Sequence, residues 1–450
     1  MIRVQPGFRG RRLRRILLAA FLTASTPLPA LAGPATGPEW IGEHIAGKAG
    51  NDLRGFYTAR GLRPLWLRPD GQPGAAAYVL LDLIATASDD TLDPRKLTVR
   101  ALTSALRRAE RDSSQKNLAG AEIALSRSFV NYVNRLGEAS RAPMIYENAA
   151  LAPAVPSALA ILQNAASAKS LDEYVQSMGW MHPLYAPLRR QLQTSVADPV
   201  TRAIIAANLQ RIRALPAHPA GRHVIVETAS ARMWMYENGQ IVDSMKVVVG
   251  KPDQQTPVMA GFLRRAIVNP YWNVPPDLVS SRIALNVLDK GVGYLASRDY
   301  QVLSDWSDNP RVVNPATIDW RAVAGGTRLV RVRQLPGKEN FMGKVKFEFP
   351  NDLGIYLHDT PDKELMLQDA RQLSSGCVRL EDAQRFGRWL LRKPLPRINR
   401  RAEQRVDLAH GVPIYIIYLT ATLDRGHLAL HTDPYGRDAS LRPFNRERSR

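Results

Sequence analysis

Pro216-Ala217-His218-Pro219, followed by His223-Val224-Ile225-Val226-Glu227-Thr228, is where this chain changes period. Upstream, apolar residues recur at helical spacing; downstream they alternate, as in half-buried strands. Arg232-Met233-Trp234-Met235-Tyr236 reads as a second strand, Asn238-Gly239 as a hairpin turn and residues 241–250 as a third strand. Strand patterns return at 263–268, 328–332, 345–349, 355–357 and 412–419, with one helix at 383–391. Working back from the break, residues 203–215 form a connecting helix striped by Ile204, Ile205, Leu209 and Ile212. The best helical pattern lies at 119–136, where Ile123, Leu125, Phe129, Val130, Val133 and Leu136 share a face, and Asp93-Pro94 opens another helix. The expectation is an α+β multidomain chain: a helical N-terminal scaffold, then a β-rich domain. Residues 272–326, rich in Pro, Asn, Asp and Trp, interrupt the strands and read as a long lid or capping insertion.

Composition narrows the function. The chain has 450 residues, 45% of them apolar and 23% charged, which excludes disorder over its length and allows two or three domains. Its single cysteine, Cys377, excludes an intrachain disulfide framework and a thiolate metal cluster. Lys and Arg number 61 against 41 Asp and Glu, a balance of +20. No zinc-finger spacing, aromatic RNA-binding signature or contiguous basic helix accompanies that charge, so nucleic acid is not the expected partner. The basic clusters at 392–405 and 437–450 read as solvated faces or frayed ends.

Export is expected. Arg3, Arg9, Arg11, Arg12, Arg14 and Arg15 precede a short apolar run at 16–24, and Ala30-Leu31-Ala32 offers a cleavage site. That is the three-part layout of a secretory signal over 1–32, with an apolar run too short to span a bilayer. Without those six arginines the +20 balance becomes +14. No later stretch holds eighteen consecutive apolar residues, so no integral membrane segment is expected in the mature chain. An anionic cell-wall polymer suits this charge outside the cytoplasm.

The chemistry centres on Tyr356-Leu357-His358-Asp359-Thr360-Pro361 and Leu373-Ser374-Ser375-Gly376-Cys377-Val378-Arg379-Leu380. His358 ends a predicted strand, and Cys377 is placed at the mouth of a predicted helix, where the helix N-terminus and a nearby imidazolium would favour its thiolate. The Gly376 and Cys377 amides are candidate oxyanion donors, and a Cys–His pair performs acyl transfer. A lone cysteine is more often a small buried hydrophobe. The polar Ser-Ser-Gly before the thiol and Arg379 after it, in an exported chain, favour chemistry.

These two segments resemble the signature of the YkuD-type L,D-transpeptidases, cysteine enzymes of peptidoglycan: a His, a spacer, then Ser/Thr-His-Gly-Cys, an apolar residue and Asn or Arg. Ser375 departs from the usual His. The Ser-Ser-Gly-Cys variant is similar to the large multi-domain Gram-negative branch, as are Phe56-Tyr57-Thr58-Ala59-Arg60-Gly61-Leu62-Arg63-Pro64-Leu65-Trp66, Val249-Gly250-Lys251, Thr256-Pro257 and Asn269-Pro270-Tyr271-Trp272-Asn273-Val274-Pro275. Residues 193–202 are too few for the peptidoglycan-binding module that this branch carries there. The division expected is a signal at 1–32, a scaffold at 40–192, a linker helix and loop at 193–220, a catalytic domain at 221–420 with its lid at about 272–326, and a basic C-terminal extension at 421–450.

The resemblance implies a periplasmic enzyme, without metal or other cofactor, that acts on peptidoglycan stem peptides and is acylated by carbapenem-type β-lactams. Cys377 is the nucleophile, His358 the general base and acid, and Gly376 an oxyanion donor. Tyr356, Ser375 and Arg379 are substrate-side candidates; Arg379 either pairs with a substrate carboxylate or braces its loop. Asp359 invites a Cys-His-Asp triad, but adjacent strand side chains face opposite ways. The family orients its imidazole with a main-chain carbonyl just after the His, so that role falls to the Asp359 backbone. The implied product is a 3→3 crosslink with release of terminal D-Ala. The alternatives are an L,D-carboxypeptidase or crosslink-cleaving hydrolase at the same site, and a non-catalytic cell-wall-binding scaffold. The remaining motifs are decoys. Ser113-Ser114-Gln115-Lys116 has no Lys-Thr-Gly partner, Gly291-Val292-Gly293 follows no strand, and His427 with His431 lacks a further ligand at metal spacing. Trp234, Trp272, Trp306 and Trp320 suit a core or lid better than sugar stacking.

Overall fold

The computed structural model describes residues 41–138, 142–194, 198–219 and 221–439. The expected signal and most of the basic tail lie outside them. The first half is helical. Gln115–Glu138 runs through its centre and buries Phe129, Tyr132, Val133 and Leu136. Around it pack Gly50–Ala59, Ala75–Ala85, Val99–Arg111 and Ala158–Ser167.

Two buried carboxylates tie these helices together. Glu122 accepts the Tyr57 hydroxyl at 2.6 Å and the Leu65 and Trp66 amides at 2.7 and 3.0 Å. Asp90 accepts Tyr132 Oη, Tyr185 Oη and Arg189 Nε at 2.7, 2.9 and 2.8 Å. A buried charge survives only with such partners. The linker helix Pro199–Ile212, capped by Asp198, docks on the same knot: Arg213 donates to the Asp90 carbonyl and Arg202 pairs with Asp89 at 3.1 Å.

The strands, in chain order, are β1 (Ile145–Tyr146), β2 (Arg222–Glu227), β3 (Arg232–Glu237), β4 (Gln240–Gly250), β5 (Met259–Val268), β6 (Trp272–Val274), β7 (Tyr300–Leu303), β8 (Val312–Val313), β9 (Arg331–Gln334), β10 (Val345–Glu348), β11 (Leu357–His358), β12 (Gln372–Ser374), β13 (Val378–Leu380), β14 (Gln404–Ile417), β15 (Ala421–Asp424) and β16 (His427–Leu430). The main sheet runs β1-β5-β10-β11-β13-β4-β3-β2-β14, and β14 also pairs with β5, so the sheet closes on itself. Val224, Val226, Ile414 and Ile416 face the enclosed core with Phe347, Leu357, Val378 and Leu380. Their alternates Ile225, Tyr415 and Ile417 belong to the apolar cluster of the helical half. Strand alternation thus makes the two halves share a core. The helical half also donates a strand: β1 pairs in parallel with β5 through Ile145↔Met259 and Tyr146↔Ala260. Two residues inside a Pro- and Ala-rich loop carry no periodicity to reveal them.

The insertion is larger than its sequence implied. Residues 272–342 build a lobe with a four-stranded sheet, β6-β9-β7-β8, and a separate core of Trp272, Val279, Ile283, Tyr300, Trp320 and Val332. The lobe does not end at 326, because β9 pairs with both β6 and β7 rather than with the main sheet. The extension after 420 holds the β15–β16 hairpin, whose His431 Nε2 lies 2.8 Å from Thr422 Oγ1.

Candidate active site

β11 lies between antiparallel β10 and parallel β13. With Phe347, Leu357 and Val378 turned into the core, their neighbours project from the other face. Registered pairing puts Lys346, His358 and Arg379 in one cross-strand row. Tyr356, two residues before His358 on the same face, lies beside Cys377; its carbonyl accepts the Val378 amide at 2.9 Å. The sequence candidates Tyr356, His358, Cys377 and Arg379 are therefore brought together by two strands of two and three residues.

Cys377 leads into a strand, not a helix. Val378-Arg379-Leu380 alternates and pairs with β11 and β4, while the next helix, Ala383–Leu391, starts six residues beyond the thiol with Asp382 as its cap. The expected helix-terminus field is therefore replaced by one cation, Arg379. Its guanidinium has no hydrogen bond or ion pair among the described residues, and its Nε is buried without a partner. Arg282 of the lobe adds repulsion to the burial that already lowers the Arg379 pKa.

The resting charge state follows from burial. His358 is 3% exposed, and its pKa is pushed down to about 3 by desolvation first and then by the Arg379 charge. The expected imidazolium is thus a neutral imidazole. Its Nδ1 lies 2.5 Å from the Asp359 carbonyl. A carbonyl only accepts, so Nδ1 carries the proton and Nε2 keeps its lone pair. The Asp359 carboxylate turns aside, to the Lys344 amide at 2.9 Å and Lys363 Nζ at 2.7 Å. Desolvation pushes the Cys377 thiol up, against lowering by the Tyr356 amide and Arg379. The residue remains partly accessible and its Sγ lies 3.7 Å from the Gly354 carbonyl.

Ser374 staples the turn before the thiol. Its Oγ donates to the Cys377 carbonyl at 2.6 Å and accepts the Gly376 amide at 3.2 Å. The Gly376 amide, an expected oxyanion donor, is thus already engaged, whereas the Cys377 amide has no partner among the described residues. Gly376 sits at φ +113°, a conformation that favours glycine. Ser375 is exposed at the turn's tip. Lys346 was missed from sequence: its Nζ pairs with Glu348 Oε1 at 3.1 Å and lies 5.5 Å from the Tyr356 ring centre. Alternation in β10 gives its face, but only register gives His358 as its neighbour.

Residues 221–416 match the family described as the YkuD L,D-transpeptidase catalytic domain, and residues 51–192 match the one described as a scaffold domain. Residues 221–416 form a YkuD-type L,D-transpeptidase domain. A Haemophilus influenzae protein named "Putative L,D-transpeptidase" is 30% identical over 282 residues, covering 60% of this chain and 56% of that one. This chain therefore matches little more than half of that relative's length. Two solved structures are weakly similar to part of this chain. An L,D-transpeptidase from Mycobacterium smegmatis is 11% identical over 44% of this chain and 58% of that one, with a TM-score of 0.22. The Enterococcus faecium L,D-transpeptidase catalytic domain acylated by ertapenem is 12% identical over 44% of this chain and 98% of that one, with a TM-score of 0.19. Among the described residues, no helix is long and apolar enough to cross a membrane.

Proposed function

We propose that the protein is a cysteine L,D-transpeptidase that joins peptidoglycan stem peptides outside the cytoplasm. The observation that carries this reading is the placement of Cys377 at the entry to β13 beside His358 on the parallel strand β11, the imidazole held neutral and its Nε2 without a partner among the described residues. In the first half-reaction His358 Nε2 takes the thiol proton as Cys377 Sγ attacks the carbonyl of the third stem residue. The C–N bond to terminal D-Ala breaks, and the imidazolium returns that proton to the departing amine, leaving a thioester. An amine on the third residue of a second stem then attacks the thioester, loses its proton to His358, and forms the 3→3 crosslink as the thiol re-forms. The Cys377 amide is the oxyanion donor. Tyr356 and Ser375 are the substrate-side residues, and Arg379 pairs with a substrate carboxylate or braces its loop. A carbapenem-type β-lactam, opened by the same sulfur, leaves a stable adduct.

Incubating the protein with disaccharide-tetrapeptide and weighing the products tests this. A dimer lacking one D-Ala is expected. A tripeptide monomer alone would mean that water is the acceptor, and no product from folded protein would leave a non-catalytic scaffold. Cys377→Ala should abolish the product without unfolding the chain; retained turnover would remove Cys377 as nucleophile.

A further inference from the structure

The turn that carries the thiol is held by the 250–256 loop, and that loop is held in turn by residues beyond the catalytic-domain match. Thr256 Oγ1 donates to the Gly376 carbonyl at 2.8 Å and accepts the Gly250 amide at 2.8 Å. The Lys251 amide donates to the Ser374 carbonyl at 2.9 Å, so the 250–256 loop grips the turn at both ends. The loop is too tight for a side chain at its root: a Cβ on Gly250 would lie 2.1 Å from the Gln254 carbonyl oxygen. Tyr435 closes it, its hydroxyl donating to the Gly250 carbonyl at 2.6 Å and lying 3.4 Å from the Thr256 amide. Tyr435 is 8% exposed and stacks on Tyr418, their rings 5.2 Å apart. Arg437 donates to Gln255 Oε1 of the same loop at 2.6 Å. Asp433 caps the turn bearing both residues, and Asp438 pins that turn to Arg211 of the linker helix at 2.7 Å.

We propose that Thr256 and Tyr435 are positioning residues for the Gly376–Cys377 turn, Thr256 directly and Tyr435 through the 250–256 loop, so that the segment after residue 416 is part of the catalytic apparatus. This deepens the transpeptidase reading and rests on it for the word catalytic. Neither side chain needs to touch substrate. Thr256 fixes the Gly376 carbonyl, and with it the direction of the Cys377 amide and the distance of Sγ from Arg379 and the Tyr356 amide. Displacements on the scale of 1 Å at such a nucleophile reduce rates by roughly 100-fold.

Cys377 is the sole cysteine of the chain, so intact mass reads its modification without ambiguity. The test compares full-length wild type, Thr256→Val, Thr256→Ser and Tyr435→Phe. It measures iodoacetamide alkylation of Cys377 against pH, the rate of carbapenem adduct formation, and the melting temperature. Thr256→Val and Tyr435→Phe should melt as folded proteins, form the adduct about 10-fold or more slowly, and move the alkylation midpoint to higher pH. Thr256→Ser, which keeps the hydroxyl, should restore both. An unchanged midpoint and adduct rate in Tyr435→Phe would overturn the role of the C-terminal segment. A Thr256→Ser variant as slow as Thr256→Val would overturn the role of the hydroxyl. If wild type forms no adduct, the transpeptidase reading fails, while the alkylation comparison still decides whether the brace sets the thiol.

Discussion

His358 reaches the main-chain carbonyl of Asp359, Nδ1 to O at 2.5 Å, while the Asp359 carboxylate is spent on Lys344 and Lys363. Orientation of the imidazole is therefore a backbone property. Asp359→Asn keeps that carbonyl and an acceptor for the Lys344 amide. It should retain kcat/KM for stem-peptide crosslinking within about tenfold, whereas loss of a triad carboxylate lowers rates about 10⁴-fold. A drop of that second size would restore the triad.

Arg379 acts on both His358 and Cys377 with opposite chemical effect. Its positive charge disfavours the imidazolium, lowering the His358 pKa, and favours the thiolate, lowering that of Cys377. Removing the charge therefore raises both. In Arg379→Gln the acid limb of the acylation rate should move up toward the ordinary histidine range, and alkylation of Cys377 should need higher pH. If Arg379 also meets a substrate carboxylate, KM rises in the same variant. A pH profile matching wild type would leave Arg379 only a brace.

Asp90 is the polar centre of the helical half, fully buried and held by Tyr132, Tyr185 and Arg189. Asp90→Ala strands the buried Arg189 charge and should destabilise the fold by about 3–5 kcal/mol. Denaturant unfolding followed by circular dichroism checks this; a loss below about 1 kcal/mol would show that the knot is solvated.

His182 sits at the seam between the halves, 4% exposed, its Nδ1 accepting the Leu184 amide at 3.3 Å. Burial, with repulsion from His223 and His218, pushes its pKa from 6.5 down to about 3. The unfolded chain binds this proton at higher pH than the folded one. The stability that neutral His182 contributes is thus full above about pH 6.5 and is lost as pH falls toward 3, at up to about 1.4 kcal/mol per pH unit. His358 adds a second loss in the same window. His182→Asn keeps an acceptor without the titration. Its melting temperature should fall less steeply between pH 6.5 and 4 than that of wild type; parallel curves would remove His182 from acid unfolding.

The division into a helical half and a β-rich half was legible because period is local: 3.6-residue stripes and strict alternation survive in any context. The same is true of the residue types at 356–380, since a thiol, an imidazole and a glycine bend in order narrow the chemistry before any fold is known. Alternation along a strand likewise separated the Asp359 side chain from its carbonyl.

Tertiary structure decided the rest, because burial and register are properties of neighbours distant in sequence. Composition near Cys377 favoured an ion pair, but packing leaves a neutral imidazole and a raised thiol. The next helix begins past a strand that only pairing with β11 and β4 creates. Lys346 meets His358, Thr256 meets Gly376 and Tyr435 meets Gly250 across separations of 12, 120 and 185 residues. No pattern in the sequence encodes those meetings; they exist because a sheet that closes on itself brings its distant strands and loops to one edge.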